Sequence, residues 1–359
     1  MQRRDWLLST AACAAALQVQ AAPSPRPLRW PADFGAHPES RTEWWYVTGS
    51  LESGARLWGF QVTFFRSATG LAAGNTSRFA ATELVFAHAA LTDLEQKRLR
   101  HDQRIARAGF GVAEAGTGNT QVLLRDWRLS RAENSTPERS RYRALIQSDS
   151  AGFRFDLQFD ATQPLLQQGV NGLSQKGPQA EQTSRYYSEP QLAVQGTLTL
   201  DGKPISVQGR AWLDHEWSDS LLDRTAVGWD WIGMNLADGS ALTAFRVRRA
   251  DGSSLYAGGS FRAPGQAPRN FGADEVRFAP GRVWQSPGSK ARYPVEWRVD
   301  TPAGAFTVKA LLDNQELDSR GSTGAVYWEG LSDLVDATSG RRLGRGYLEM
   351  TGYAAKLQL

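Results

Sequence analysis

Residues 44–62 read WWYVTGSLESGARLWGFQV, and the chain returns to the same pattern at residues 229–247, WDWIGMNLADGSALTAFRV. At a constant offset of 185 positions, Trp44 meets Trp229, Leu51 meets Leu236 and Gly54 meets Gly239. Leu57 then meets Leu242, Phe60 meets Phe245, Val62 meets Val247, and aromatic Tyr46 falls on Trp231. Six identities in nineteen positions around a shared glycine imply two related hairpins, and so two related β-domains. Asp238-Gly239 signals a two-residue turn, because a tight hairpin turn needs positive φ; Ser53-Gly54 is its weaker counterpart. Folding about these turns sets Trp45 opposite Val62 and Val47 opposite Phe60 in the first copy. In the second it sets Asp230 opposite Val247, Ile232 opposite Phe245 and Met234 opposite Thr243. Asp230 thus takes the place of Trp45, a carboxylate for an indole on a mainly apolar face. On the other face Trp231 falls opposite Arg246, the geometry of a cation–π pair.

Beyond the hairpins, Gly and Pro recur every ten residues or so, and no long stretch with helical period survives between them. Short alternating runs such as Phe153–Phe159 and Gln195–Leu200 read as strands, which predicts an all-β sandwich or barrel. Residues 163–190 are rich in Gly, Gln and Ser and read as a linker, placing the domain boundary near residue 190. The predicted architecture is an N-terminal β-domain over 22–190 and a C-terminal one over 191–359.

Residues 1–21 are expected to lie outside the fold. Arg3-Arg4 lead into an apolar stretch that ends near Ala21-Ala22, the pattern of a secretory signal, and Arg-Arg-x-aromatic-Leu resembles a twin-arginine signal. A periplasmic or secreted location follows. The single cysteine, Cys13, lies within this segment, so the mature chain has neither disulfides nor a cysteine nucleophile. About 340 mature residues suit two domains. No later run approaches the roughly 18 apolar residues of a membrane span. A net charge of +4, thinly spread, gives no nucleic-acid footprint. Thirteen tryptophans call for large cores or an apolar ligand cavity.

The densest polar cluster is Asp214-His215-Glu216-Trp217-Ser218-Asp219. With Asp230 it offers carboxyls and an imidazole for general acid–base work, and a carboxyl in an apolar pocket is held protonated near neutrality. The bland alternative is a hydrogen-bonded structural corner. Four scattered histidines (His37, His88, His101, His215) lack paired-ligand spacing, so no metal is expected. There is no Gly-x-Ser-x-Gly elbow, P-loop or Gly-x-Gly-x-x-Gly. Glu43, Glu329 and Glu349 read as outward-facing strand residues, and Arg185-Tyr186-Tyr187-Ser188 as a segment that lines a cavity mouth or packs between domains.

The set His37-Pro38-Glu39, Glu43-Trp44-Trp45-Tyr46, Thr48-Gly49, Gly172-Leu173-Ser174, Lys176-Gly177-Pro178, Tyr186-Tyr187-Ser188, Ala211–Ser218 and Gly346–Tyr353 resembles the AttH family. These are secreted lipocalin-like proteins related to the carotenoid 1,2-hydratase family called CrtC. The resemblance implies two lipocalin-like antiparallel β-barrels in tandem. It also implies a hydrophobic isoprenoid or lipid ligand, and hydration of a C=C bond by a carboxylic acid without a cofactor. Asp214, His215 and Trp217 match the hydratases' Asp-His-x-Trp element; Asp214 and His215, with Glu216 of the same polar cluster and Asp230 of the second hairpin as a candidate acid, are the expected catalytic set. Trp212, Trp217, Trp229, Trp231 and Tyr187 are the expected ligand-binding set. The alternative is a lipid carrier that hands its cargo to a membrane transporter permease. The family description "predicted secreted hydrolase" finds no nucleophile or metal motif here.

Overall fold

The computed structural model describes residues 26–71, 74–77 and 79–357. The expected export signal and Cys13 lie outside them. The fold is all-β, built from two antiparallel sheets of thirteen and ten strands, with a small two-strand ribbon beside the second. The expected tandem of lipocalin-like barrels is what the chain forms. In the first sheet, strands Glu83–Asp93 and Arg98–Arg107 meet Ala113–Ala115 and Gln121–Leu124 from the far end of the path, nearly closing a barrel. Its interior holds Trp45, Trp58, Phe60, Trp127, Phe155 and Phe159; the second encloses Met234, Trp297, Val308 and Trp328. Each such large side chain stabilises the fold by roughly 1.5–3 kcal/mol when fully buried. A third cluster lies between the barrels, where Tyr46, Trp212, Trp231, Phe245, Leu331 and Tyr347 pack together.

The repeated hairpins occupy matching places. The first joins Thr42–Ser53 to Arg56–Ala68, and the second joins Ala226–Leu236 to Ala241–Arg249. Their registers correct the sequence expectation. The first turn is Gly54-Ala55, so Trp45 stands opposite Phe64 and Val47 opposite Val62. The second turn has three residues, Ala237-Asp238-Gly239, closed where Leu236 donates its N–H to Ser240 O, with Gly239 at φ +89. That extra residue moves the returning strand by an odd step. Asp230 stands opposite Arg246 and Trp231 opposite Phe245, so the expected Trp231–Arg246 pair does not form. In the first strands of the two hairpins the repeat is geometric: Trp45 and Val47, like Asp230 and Ile232, point into their own barrels. In the returning strands it is not, because Phe60 points inward and Phe245 outward.

The boundary expected at residue 190 falls inside strand Thr183–Leu200, which pairs along its length with Lys203–Ser218 in the first sheet. The chain changes sheets between Ser218 and Ala226. Pro190 reads as a breaker but sits in a bulge between Glu189 and Leu192, where a missing N–H is tolerated. The bulge also clasps the two barrels together. Gln191 donates its backbone N–H to Asn235 Oδ1 (2.8 Å), and its Nε2 donates to Leu236 O and Ser240 O.

Candidate active site between the two barrels

Side chains alternate faces along a strand, so each barrel has an outward face as well as a core. On Thr42–Ser53 that outward face carries Trp44 and Tyr46; on Lys203–Ser218 it carries Trp212, Asp214 and Glu216. On the second barrel it carries Trp229, Trp231 and Phe245 from the hairpin, and Tyr327, Glu329, Tyr347 and Glu349 from the closing strands Ala325–Asp336 and Arg342–Met350. These two faces pack against each other around a cavity of about 320 Å³. Trp44, Phe65, Phe86, Trp229, Trp231 and Phe245 form much of its wall, and Leu221 and Leu222 of the inter-sheet connection close one side.

Four carboxyls and one ammonium group meet there. Asp214 accepts Tyr186 Oη at 2.7 Å, Ser188 Oγ at 2.5 Å and Trp212 Nε1 at 2.7 Å. Burial raises its pKa to about 7; the three donors oppose the rise and the Glu216 charge adds to it. Glu216 accepts Ser184 Oγ and pairs with Lys176 Nζ at 2.8 Å. The Lys176 ammonium lies between the rings of Tyr186 and Phe245, 4.5 and 4.4 Å from their centroids. From the second barrel, Glu329 and Glu349 stand directly opposite each other on neighbouring strands. Burial, and for Glu329 the Glu349 charge, holds both carboxyls above the usual range; Asp214 and Glu216 push Glu349 further. Glu329 Oε1 and Tyr46 Oη are buried near one another but make no hydrogen bond of ordinary geometry among the described residues. Such groups are rare in folded interiors.

His215 lies on the other face of the same strand and belongs to a separate network inside the first barrel. Its Nε2 bonds Glu43 Oε1 at 2.8 Å and its Nδ1 meets Tyr187 Oη at 3.1 Å. His37 Nδ1 shares Glu43 Oε1, and Arg66 Nε donates to Glu43 Oε2 at 2.9 Å. Burial alone would raise the Glu43 pKa, but bonds from His215 and His37 draw it down to about 2. Trp217 stacks on the His37 ring at 3.7 Å. His37, Glu43 and His215 converge closely enough for a shared cation. Their facing atoms are already bonded to one another, however, and the Arg66 guanidinium on the same carboxylate opposes a second positive charge. This is a structural brace.

Asp230 is buried, as expected, but within the second barrel rather than beside the Asp214–Trp217 segment, and it does not line the cavity. Arg246 Nε reaches it at 2.7 Å, Arg248 Nε at 3.1 Å and Tyr353 Oη at 2.8 Å. Of the two arrangements open to an aspartate on an apolar face, pairing with cations or neutrality, the chain uses the first.

Of the expected residues, then, the structure gathers Asp214, Glu216, Trp229 and Trp231 at the cavity, with Trp212 supporting Asp214. It sends His215, Trp217 and Tyr187 into the first barrel and Asp230 into the second. Sequence reasoning read Glu329 and Glu349 as plain strand residues and gave Tyr46, Lys176 and Tyr327 no role in a site; Tyr186 falls in the segment it placed at a cavity mouth or between domains. One signal was present. Glu329 and Glu349 do point away from their own barrel; what covers them is the other barrel, and the Tyr46–Trp231 alignment in the repeat marked the two faces that meet.

Comparison with known proteins places this geometry. The family profile described as AttH-like matches residues 21–353. A solved structure described as AttH, from Nitrosomonas europaea, is 46% identical, covers 91% of this chain and 98% of its own, and superposes with a TM-score of 0.83. Kievitone hydratase from Nectria haematococca shares the fold at a TM-score of 0.70, with 14% identity over 94% of this chain and 95% of that one. CghA with Sch210972 is similar at a TM-score of 0.51, with 13% identity over 89% and 90% of the two chains. No curated protein matches the sequence.

Proposed function

The chain belongs to the AttH-like family, and from that premise we propose that it binds an apolar, isoprenoid-like ligand between its barrels and adds water across a C=C bond by acid catalysis. One observation carries the reading: Asp214, Glu329 and Glu349 are buried carboxyls with raised pKa values in the wall of a tryptophan-lined cavity. A pocket that only carried an apolar ligand would need none of them, and each disfavours folding when ionised. The fold shared with kievitone hydratase is consistent with this chemistry.

The roles follow from the partners. Glu329 and Glu349 face each other on neighbouring strands, and burial, with the Glu349 charge beside Glu329, favours a proton on the pair. Glu349, on the strand beside Trp231, is assigned as the acid. Its O–H proton passes to the less substituted alkene carbon, the π electrons form the C–H bond, and a carbocation is left that the faces of Trp229 and Trp231 stabilise. Water attacks the cation and the C–O bond forms. The surplus proton goes to Asp214, whose three donors set it as an acceptor, and transfer back to Glu349 resets the site. The balance is alkene plus water to alcohol.

The test is incubation with an acyclic isoprenoid alkene in isotopically labelled water, followed by mass spectrometry. Wild type should yield labelled alcohol, and Glu349→Gln should lose turnover by about a hundredfold or more while still binding the alkene. Bound but unchanged alkene with the wild type would leave a carrier, for which handover to a membrane transporter is the next reading. Export of the mature chain from about Ala22 belongs to the same proposal; periplasmic fractionation checks it.

A further inference from the structure

The cavity has an apolar approach that leads to the surface. Starting at Glu216, the register sets Trp44 opposite it, then Phe65 opposite Trp44, Phe86 opposite Phe65, and Ile105 opposite Phe86 in the edge strand Arg98–Arg107. All five line the cavity, and Ile105 is the one exposed member. Next on the same face of the edge strand comes Arg107, opposite Leu84, another lining residue. Its guanidinium lies 4.7 Å from the Phe110 ring centroid and 6.0 Å from that of Phe79, and the two rings stack at 5.4 Å.

These rings are not covered. Phe79 is 75% exposed, Phe110 53%, and Leu71 in the loop before Phe79 89%. Two large exposed rings stacked together, rather than scattered, mark an interaction surface. Cations stand beside them. Arg107 and Arg125 form no salt bridge among the described residues, Arg125 sits against the rim through its N–H to Val112 O, and the nearby Glu83 pairs with Arg66, which also holds Glu43. No helix among the described residues is long and apolar enough to cross a membrane.

We propose that this rim is a docking surface for an anionic phospholipid bilayer. Phe79, Phe110 and Leu71 insert among the acyl chains, while Arg107 and Arg125 meet lipid phosphates, the division of labour expected of interfacial anchors. An apolar ligand then moves from the lipid phase onto Ile105, Phe86, Phe65 and Trp44 without crossing water. This purpose rests on the apolar-ligand reading of the cavity; the docking itself does not.

The experiment is cosedimentation of the full chain with phosphatidylcholine vesicles, with and without phosphatidylglycerol. Wild type should bind the anionic vesicles. Phe79→Ser with Phe110→Ser should weaken binding at least about tenfold, given the apolar area each ring contributes. Arg107→Gln should weaken it on anionic vesicles alone. Both rings are exposed, so a thermal melt of the double variant should match wild type; Phe79→Trp, read by quenching with brominated lipid, gives a second measure of insertion. Glu349→Gln should dock as wild type does, which separates failure of this proposal from failure of the catalytic one. Absence of wild-type binding, or equal binding by the double variant, overturns it. So does a dimer that the double variant abolishes, since a second copy would then be what covers the rim.

Discussion

Asp214 and His215 are neighbours in sequence, yet only one of them reaches the cavity. The strand through Ser218 stays extended, so successive side chains part to opposite faces, one toward the second barrel and one into the first. The same parity decides Asp230, which shares a strand with Trp229 and Trp231 and faces away from both. Its partners set the outcome of mutation. Asp230→Asn leaves two guanidinium groups beside a neutral amide, and breaking a buried pair costs about 3–5 kcal/mol. A urea melt should show a loss of that order with ligand affinity in the cavity unchanged; a variant as stable as wild type would count against the pairing. For the proposed reaction, the acid must hold its proton. Asp214, which takes the surplus proton, must be ionised; with its pKa and that of Glu349 both raised to about 7, turnover should peak near neutrality, and a rate profile that keeps rising into alkaline pH would exclude Glu349 as the acid.

At the scale of elements, the second hairpin shows how one turn residue redistributes function. Ala237-Asp238-Gly239 is one residue longer than Gly54-Ala55, and this odd step brings Phe245 and Val247 to the cavity while Arg246 goes to Asp230. A register slip of one residue flips a whole strand, so the turn selects which residues line the site. The seam between the barrels is as tightly set. A Cβ on Gly59 would stand 2.8 Å from Tyr347 Oη and 2.9 Å from Leu331 Cβ, both on the other barrel. Gly59→Val should therefore cost about 1–3 kcal/mol through overpacking. The strain falls between the barrels, so binding of an apolar dye should increase before either core melts. An unchanged thermal midpoint would show that the seam yields more easily than its packing indicates.

For the whole molecule, the buried ionisable groups set a pH dependence whose sign can be worked out. Asp214 and Glu189 have folded pKa values raised to about 7, and burial also raises Glu329 and Glu349. Their contribution to stability is complete below the unfolded carboxyl pKa, near 4, and is lost as pH rises through 7. His88, lowered by burial to about 3, works the other way: its contribution is present above the unfolded value near 6.5 and is lost as pH falls. Four raised carboxyls outweigh His88 and the similarly lowered His215. The melting temperature should therefore be higher at pH 5.5 than at pH 8. Asp214→Asn should flatten that slope by an amount on the order of a few kcal/mol across the range. An equal slope in the variant would place the linkage elsewhere.

The sequence by itself determined the architecture. Alternating runs, glycine turns and a hairpin repeated at 185 residues specify two antiparallel β-domains, because period-two patterning and turn chemistry are local properties of the chain. It also marked Asp214, Glu216, Trp229 and Trp231, four of the residues that meet at the cavity. Only the tertiary structure decided which face of each strand is functional. Glu329 and Glu349 look like ordinary outward-facing carboxyls when a strand is read alone, and they are outward-facing. They become buried, proton-holding groups because the first barrel, more than a hundred residues away in the chain, covers them. Burial by a distant partner leaves no periodicity in the covered strand, and so no local pattern records it.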